Sequence, residues 1–258
     1  MSAILAELHA RQPRLARSGW AMLAVLLACI AAMAVDPRLI NGVSAWVKPA
    51  KFAASFAVWL WTLAWAWGVL APGLRDGWAA RSVLWATLAA GWFEVLWIAF
   101  RAALGQPSHF ATDALGGAMY GLMGLAALLL VAMAALLGLM VLLRPDPAQP
   151  QAWRAAVGAG LVVGGVLGGF TGASISGNAT PHVGGTPGDA AAFPPFFWSR
   201  DGGDLRVAHF VAIHAMQALP LLALAGAGVA MVWLGAAGWT ALSLGAWLLA
   251  RGGVPLSP

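Results

Sequence analysis

Apolar residues of this chain gather into seven stretches, each about as long as a membrane-crossing helix. A helix rises ~1.5 Å per residue, so roughly 20 apolar residues span the hydrocarbon core of a bilayer. Prolines mark the breaks between stretches, as at Pro37, Pro107 and Pro145. The pattern predicts helices over residues 18–35, 52–70, 83–104, 118–143, 155–175, 206–226 and 229–250.

The composition excludes a water-soluble fold. Hydrophobic residues make up 61% of the chain and charged residues 9%, with a mean hydropathy of +0.82. So few charges cannot solvate the surface of a protein of this size, whereas a bilayer suits it. We therefore expect an all-α integral membrane bundle that forms a single domain over residues 1–258. Only glycines, among them Gly226 and Gly228, separate the last two stretches, so six helices with one long kinked element are the alternative to seven.

The distribution of charges and the single cysteine exclude several kinds of partner and site. The net charge is +5, but the cations are scattered over short loops and do not form a stripe with interleaved aromatics. This distribution predicts no nucleic-acid partner. Cys29 is the only cysteine and lies within the first stretch, which excludes an intramolecular disulfide and a thiolate metal cluster.

The N-terminal arginines bear on orientation. Arg11, Arg14 and Arg17 precede the first stretch without a small-residue cleavage site, so we expect a retained helix and not a signal peptide. A slight excess of cations favours a cytoplasmic N-terminus, and seven spans then place the C-terminus outside a bacterial plasma membrane. Segment 176–205 becomes a long extracytoplasmic loop, whose apolar, proline-rich part predicts a lid over the bundle.

Polar residues inside the predicted helices fall into two tiers of depth. Glu94, His214 and Gln217 form an inner tier, about 13–18 Å from the helix ends, and Arg101 and His209 form an outer tier. A charged group at that depth raises the free energy by about 2.5–3.5 kcal/mol or more unless it is paired, neutralised or in contact with water. We expect Arg101 to lie near His209, and Glu94 to share an interior cavity with His214.

Each tier also has a purely structural interpretation. Glu94 and His214 can hydrogen-bond each other simply to fix helix register. Arg101 can extend its charged group to the membrane interface without any function. If the outer tier does form, we expect Asp113 and Asp204 to be its counter-ions. The functional hypothesis assigns catalytic roles to Glu94, Arg101 and His214.

The histidines are candidate metal or haem ligands, because neutral imidazole is the commonest metal ligand in proteins. The candidates are His109, His182, His209 and His214, and Arg206 and Gln217 are candidate cofactor contacts. His209 and His214 are five residues apart, roughly 140° around a helix, so one undistorted helix does not offer both to one metal. Two helices would have to contribute ligands to a transition metal or haem.

A glycine ridge runs along the fifth stretch. Gly160, Gly164, Gly168 and Gly172 repeat at intervals of four residues. Such a ridge indicates close helix packing, or close approach to a flat cofactor or quinone ring.

Short motifs around these polar residues resemble a family of bacterial multi-spanning membrane proteins that is uncharacterised. The matching motifs are Ser-His-Phe at 108–110, Gly-Asp-Leu-Arg at 203–206, His-Phe at 209–210 and His-Ala-x-Gln at 214–217. They cover a small part of the chain, and Ala111 departs from the family pattern, which has Asn there. The resemblance implies no activity.

Three functions remain open from the sequence. The leading hypothesis is a redox or metal/haem-binding membrane enzyme whose site opens to the extracytoplasmic face, with a small molecule or quinone as its partner. The second is a proton-coupled transporter that binds a small solute at Glu94, His214 and Gln217, although no internal repeat is detectable. The third is a metal-dependent membrane hydrolase that uses Ser108, Asp113 and the histidines, although the spacing of the histidines counts against it.

Overall fold

The structure, a computed structural model, describes residues 3–111, 113–186, 188–189, 192 and 194–255. It confirms an all-α bundle. The helices are α1 (Ala3–Arg11), α2 (Pro13–Val35), α3 (Val47–Trp67), α4 (Trp78–Ala103), α5 (Ala114–Leu143), α6 (Gln151–Gly177), α7 (Leu205–Ile213), α8 (Ala215–Leu224) and α9 (Val229–Arg251). Two short antiparallel pairs join them, β1 (Leu39–Ile40) with β2 (Val43–Ser44) and β3 (His182–Val183) with β4 (Gly203–Asp204).

Within the described ranges, five helices are long and apolar enough to cross a membrane, namely α2, α4, α5, α6 and α9. The pair α7 and α8, bent by 42° at His214, counts as a sixth. Helix α3 has 21 residues and packs along α2, but Lys51 and four tryptophans lower its hydropathy. The protein is therefore a multi-pass membrane bundle, and the predicted count of seven spans is not confirmed.

The glycine ridge of α6 is a packing surface. A methyl group added at Gly165 would lie 2.6 Å from the carbonyl oxygen of Val131 on α5, and one at Gly160 would lie 2.8 Å from that of Ala215 on α8. Both distances are shorter than van der Waals contact, so only glycine allows these backbones to approach so closely. Of the two interpretations of the ridge, helix packing is the one observed at these positions.

Arginine side chains form hydrogen bonds at one end of the bundle. We call this end the latch end and define it by Arg11, Arg75 and Asp146. Arg75 Nη2 donates to Asp146 Oδ2 and to the carbonyl oxygen of Gly68, both at 3.0 Å, and its Nε donates to that of Leu70 at 2.9 Å. Arg11 Nη1 donates to the carbonyl oxygen of Trp65 at 2.7 Å. These contacts stabilise the C-terminal end of α3, where carbonyls lack helical partners.

Candidate functional site

The opposite end of the bundle carries a charged cluster that we call the polar end, defined by Lys48, Lys51, Glu94, His109 and Arg206. Helices α2, α4, α6 and α9 end there, and α3, α5 and α7 begin there. The described residues of segment 176–205 lie at the same end.

The entry into α3 fixes the position of the two lysines. The β1–β2 hairpin turns at Asn41, whose φ is 55°, and Gly42, whose φ is 84°. Trp46 Nε1 then donates to Asp36 Oδ2 at 2.8 Å. Arg38 and Trp46 hydrogen-bond to the Asp36 carboxylate and hold its pKa well below the ordinary value. Helix α3 begins immediately afterwards at Val47.

Lys51 docks the long loop, whereas Lys48 has no such partner. Lys51 Nζ donates to the carbonyl oxygen of Phe196 at 3.1 Å and lies 5.3 Å from the ring centroid of Phe197. Among the described residues, Lys48 forms no ion pair within 4.0 Å. It is close enough to Lys51, Arg206 and Glu94 to interact with all three electrostatically. Asp189 also interacts with it, so Lys48 lies among charges of both signs.

Glu94 is a buried group of the polar end that lacks full compensation. Its side chain is 3% exposed, and its Oε1 is buried with no hydrogen-bond partner in the described part of the chain. It lies nine residues before the end of α4, about 13 Å along the helix axis. Its charge interacts with that of Lys48 without forming an ion pair. A buried acceptor without a hydrogen bond lowers the stability of the fold, and such acceptors are typical of functional sites.

His109 borders the same charges. Its ring centroid lies 5.8 Å from that of Phe52 on α3 and 5.5 Å from that of Tyr120 on α5. Its Nδ1 is 3.1 Å from Ser108 Oγ. Burial, with a smaller contribution from Lys48, places the pKa of His109 well below the ordinary value. The imidazole is therefore neutral near pH 7.

Arg206 fastens the long loop to the start of α7. Its Nη1 donates to Asp189 Oδ1 at 2.9 Å, and its Nη2 donates to Asp204 Oδ2 at 2.7 Å and to the carbonyl oxygen of Phe197 at 2.6 Å. Farther along the loop, the Trp198 ring packs edge-on against that of Phe210 on α7. Described residues of 176–205 thus contact α3 and α7 at the polar end, and the lid stays a prediction.

His182 lies between two of these carboxylates. Its Nε2 is 3.7 Å from Asp189 Oδ1 and its Nδ1 is 3.9 Å from Asp204 Oδ2, both beyond hydrogen-bond range. Burial is the largest influence on His182 and lowers its pKa, and the Arg206 cation acts in the same direction.

The predicted outer tier is not assembled as one site. Arg101 donates to Asp113 Oδ2 at 2.8 Å, which is one of the two counter-ions that we expected, and to the carbonyl oxygen of Pro107 at 3.0 Å. His209 instead packs on α6, where its Nδ1 is 3.1 Å from Thr171 Oγ1. No contact joins Arg101 to His209 in the described residues. Asp204, the second expected counter-ion, pairs with Arg206.

The inner tier is divided as well. His214 caps the break between α7 and α8, where its Nδ1 lies 2.7 Å from the carbonyl oxygen of Phe210 and its ring stacks on that of Phe210 at 3.9 Å. Gln217 Nε2 donates to Thr62 Oγ1 on α3 at 2.8 Å. Neither side chain contacts Glu94, so the pairing of Glu94 with His214 stays a prediction.

The histidines do not converge. His109, His182, His209 and His214 have different polar neighbours on different elements. Over the described residues, no three side chains of the types His, Cys, Asp and Glu are arranged to hold a metal ion.

Reasoning from the sequence missed the importance of Lys48, Lys51 and Asp189. Lys48 and Lys51 flank Pro49 in the first turn of α3, so they read as ordinary loop cations that orient the helices. The signal that was available is their spacing of three residues, which puts both on one face of the helix.

Comparisons of the chain with family models, curated proteins and solved structures found no match.

Proposed function

We propose that this chain is a proton-coupled transporter of a small anionic solute, with Lys48 and Glu94 at its centre. The observation that carries this proposal is a buried, unpartnered carboxyl beside a cation that has no ion pair. Lys48 and Lys51 form no ion pair within 4.0 Å in the described part of the chain, and they would supply the positive charge for a bound anion. Glu94 is the group that takes up and releases the proton.

The broken helix supports the same class of function. Helices α7 and α8 bend by 42° at His214. His214 lies nine residues into α7 and α8, about 13 Å from the polar end, which is the depth of Glu94. Transporters commonly bind substrate and coupling ions where membrane helices are discontinuous. On the proposed orientation, the polar end faces outside a bacterial plasma membrane, and the long loop covers the route to Glu94.

A metal or haem redox enzyme remains a prediction with less support. Its candidate ligands lie apart, and the glycines that were expected to approach a flat cofactor pack against α5 and α8. The hydrolase hypothesis has one favourable contact, the 3.1 Å approach of Ser108 Oγ to His109 Nδ1. Its other member, Asp113, is held by Arg101.

Uptake by purified protein in liposomes tests the proposal. An inward proton gradient is imposed, and succinate, glutamate and phosphate, which do not cross lipid unaided, are added in turn while an enclosed dye reports internal pH. We expect at least one anion to accelerate acidification in liposomes that contain the protein. Glu94→Gln and Lys48→Gln should reduce that signal to the level of empty liposomes.

Asp146→Asn is the matched control, because it neutralises a carboxylate at the latch end. It should retain uptake. Undiminished uptake by the Glu94→Gln protein would exclude Glu94 as the coupling group.

A further inference from the structure

A groove of about 330 Å³ lies between α3 and α8, away from the polar end. Val58 and Leu221 line it and are 43% and 62% exposed. Because these apolar side chains lie in helices of the membrane bundle, the groove opens sideways into lipid. We call it the α3–α8 groove.

Gln217, one of the residues that line the groove, has an unused hydrogen-bond acceptor. Thr62 Oγ1 donates to the carbonyl oxygen of Val58 at 2.8 Å and accepts from Gln217 Nε2 at the same distance. In this arrangement the Gln217 amide turns its nitrogen toward Thr62. Gln217 Oε1 is then buried with no donor in the described part of the chain, although Gln217 lines the groove. Hydrocarbon offers no donor, so this oxygen selects a ligand that has one.

The walls of the groove favour an aromatic ring. Trp61 and Trp65 on α3 and Trp153 on α6 line it. Trp61 directly precedes Thr62 in the sequence. Flat rings pack well against indole in offset or edge-on arrangements, which contribute about 0.5–1.5 kcal/mol beyond the burial of apolar area. A saturated acyl chain gains nothing comparable and cannot donate a hydrogen bond.

We propose that the α3–α8 groove binds a lipid-soluble phenol or quinol, whose hydroxyl donates to Gln217 Oε1 and whose ring packs against the tryptophans. The apolar tail of the ligand leaves through the lateral opening between Val58 and Leu221. The binding step forms one hydrogen bond and involves no change of oxidation state. It does not depend on the transport function proposed for the polar end.

Photolabelling of the purified protein in lipid nanodiscs tests this site. The probe is a long-chain alkylphenol with a diazirine on its tail, and labelled residues are mapped by mass spectrometry. We expect labelling on α3 and α8 beside the groove. Excess unlabelled alkylphenol should remove it, and the methyl ether of the same phenol, which cannot donate, should compete about three- to tenfold less well.

Gln217→Leu should weaken phenol competition to the level of the ether, and Gln106→Leu is the matched control. Gln106 is exposed in the α4–α5 connection at the polar end, so its change should leave labelling and competition intact. Equal competition by phenol and ether in the unmodified protein would overturn the proposal and indicate ordinary lipid contact. The absence of label from the groove would overturn it too, as would unchanged selectivity in folded Gln217→Leu protein.

Discussion

The charged residues of the latch end differ from Lys48 and Glu94 at the polar end in how far their charges are satisfied. At the latch end, Arg75 makes three hydrogen bonds, two of them to carbonyl oxygens at the end of α3, and Asp146 also accepts from the backbone N–H of Ala148 at 3.0 Å. At the polar end, Glu94 and Lys48 lack hydrogen bonds to each other and to their described neighbours. A satisfied charge stabilises a fold, whereas an unsatisfied one lowers stability and is retained for another reason. This difference is the basis for the proposal that Lys48 and Glu94 serve transport.

The largest expected effect is that neutralising a carboxylate changes transport at the polar end and stability at the latch end. Glu94→Gln replaces a buried carboxyl with a neutral group of similar size, so it should abolish proton-driven uptake without lowering the melting temperature in detergent. Asp146→Asn should lower the melting temperature and leave uptake intact. Thermal unfolding and liposome uptake, measured on both variants, check this prediction. Loss of stability in Glu94→Gln would mean that Glu94 has a structural partner after all.

Removal of the latch arginine should have the next largest effect. Arg75→Gln cannot reproduce the three hydrogen bonds of the guanidinium, and the carbonyl oxygens of Gly68 and Leu70 lose their donor. We expect a loss of about 2 kcal/mol, or roughly 4–8 °C in melting temperature for a protein of this size. Arg200→Gln in the long loop, where the arginine is exposed, is the control. Equal melting temperatures for the two variants would contradict the structural role of the latch.

The sequence predicted this division only in part. The apolar stretches located the helices, because bilayer thickness sets a length that is visible in any hydropathy pattern. Depth along the helix singled out Glu94 correctly as a buried group. Depth alone did not identify its neighbours: Arg101 and His209 lie at similar depths, yet they point to Asp113 and Thr171. The rotation of each helix about its axis, which packing decides, was the missing information.

A smaller effect is expected for the lysine that docks the loop. Lys51→Met removes one hydrogen bond to Phe196 and one cation–π contact with Phe197, together worth about 1 kcal/mol. The loop should open more often, so limited proteolysis within 176–205 should be about fivefold faster. Lys48→Met, which breaks no such bond, should leave the cleavage rate unchanged. Similar cleavage of both variants would show that Lys51 does not hold the loop.

The smallest predicted effect is a pH dependence of the loop that arises from His182. Its pKa is lowered in the folded protein by burial and by Arg206, against the opposing carboxylates of Asp189, Asp204 and Asp201. A base with a lowered pKa binds protons less readily when the loop is closed than when it is open. The closed loop is therefore favoured above the ordinary histidine pKa of about 6.5 and loses stability as pH falls below it. Proteolysis of the loop should accelerate between about pH 6.5 and 5 in the unmodified protein, and His182→Gln should flatten that dependence.

The latch end serves as the control, because it contains no histidine among its defining residues. Backbone hydrogen exchange around Arg75, corrected for its intrinsic pH dependence, should not change over this range. Acceleration that persisted in His182→Gln would place the pH-sensitive group elsewhere in the polar end.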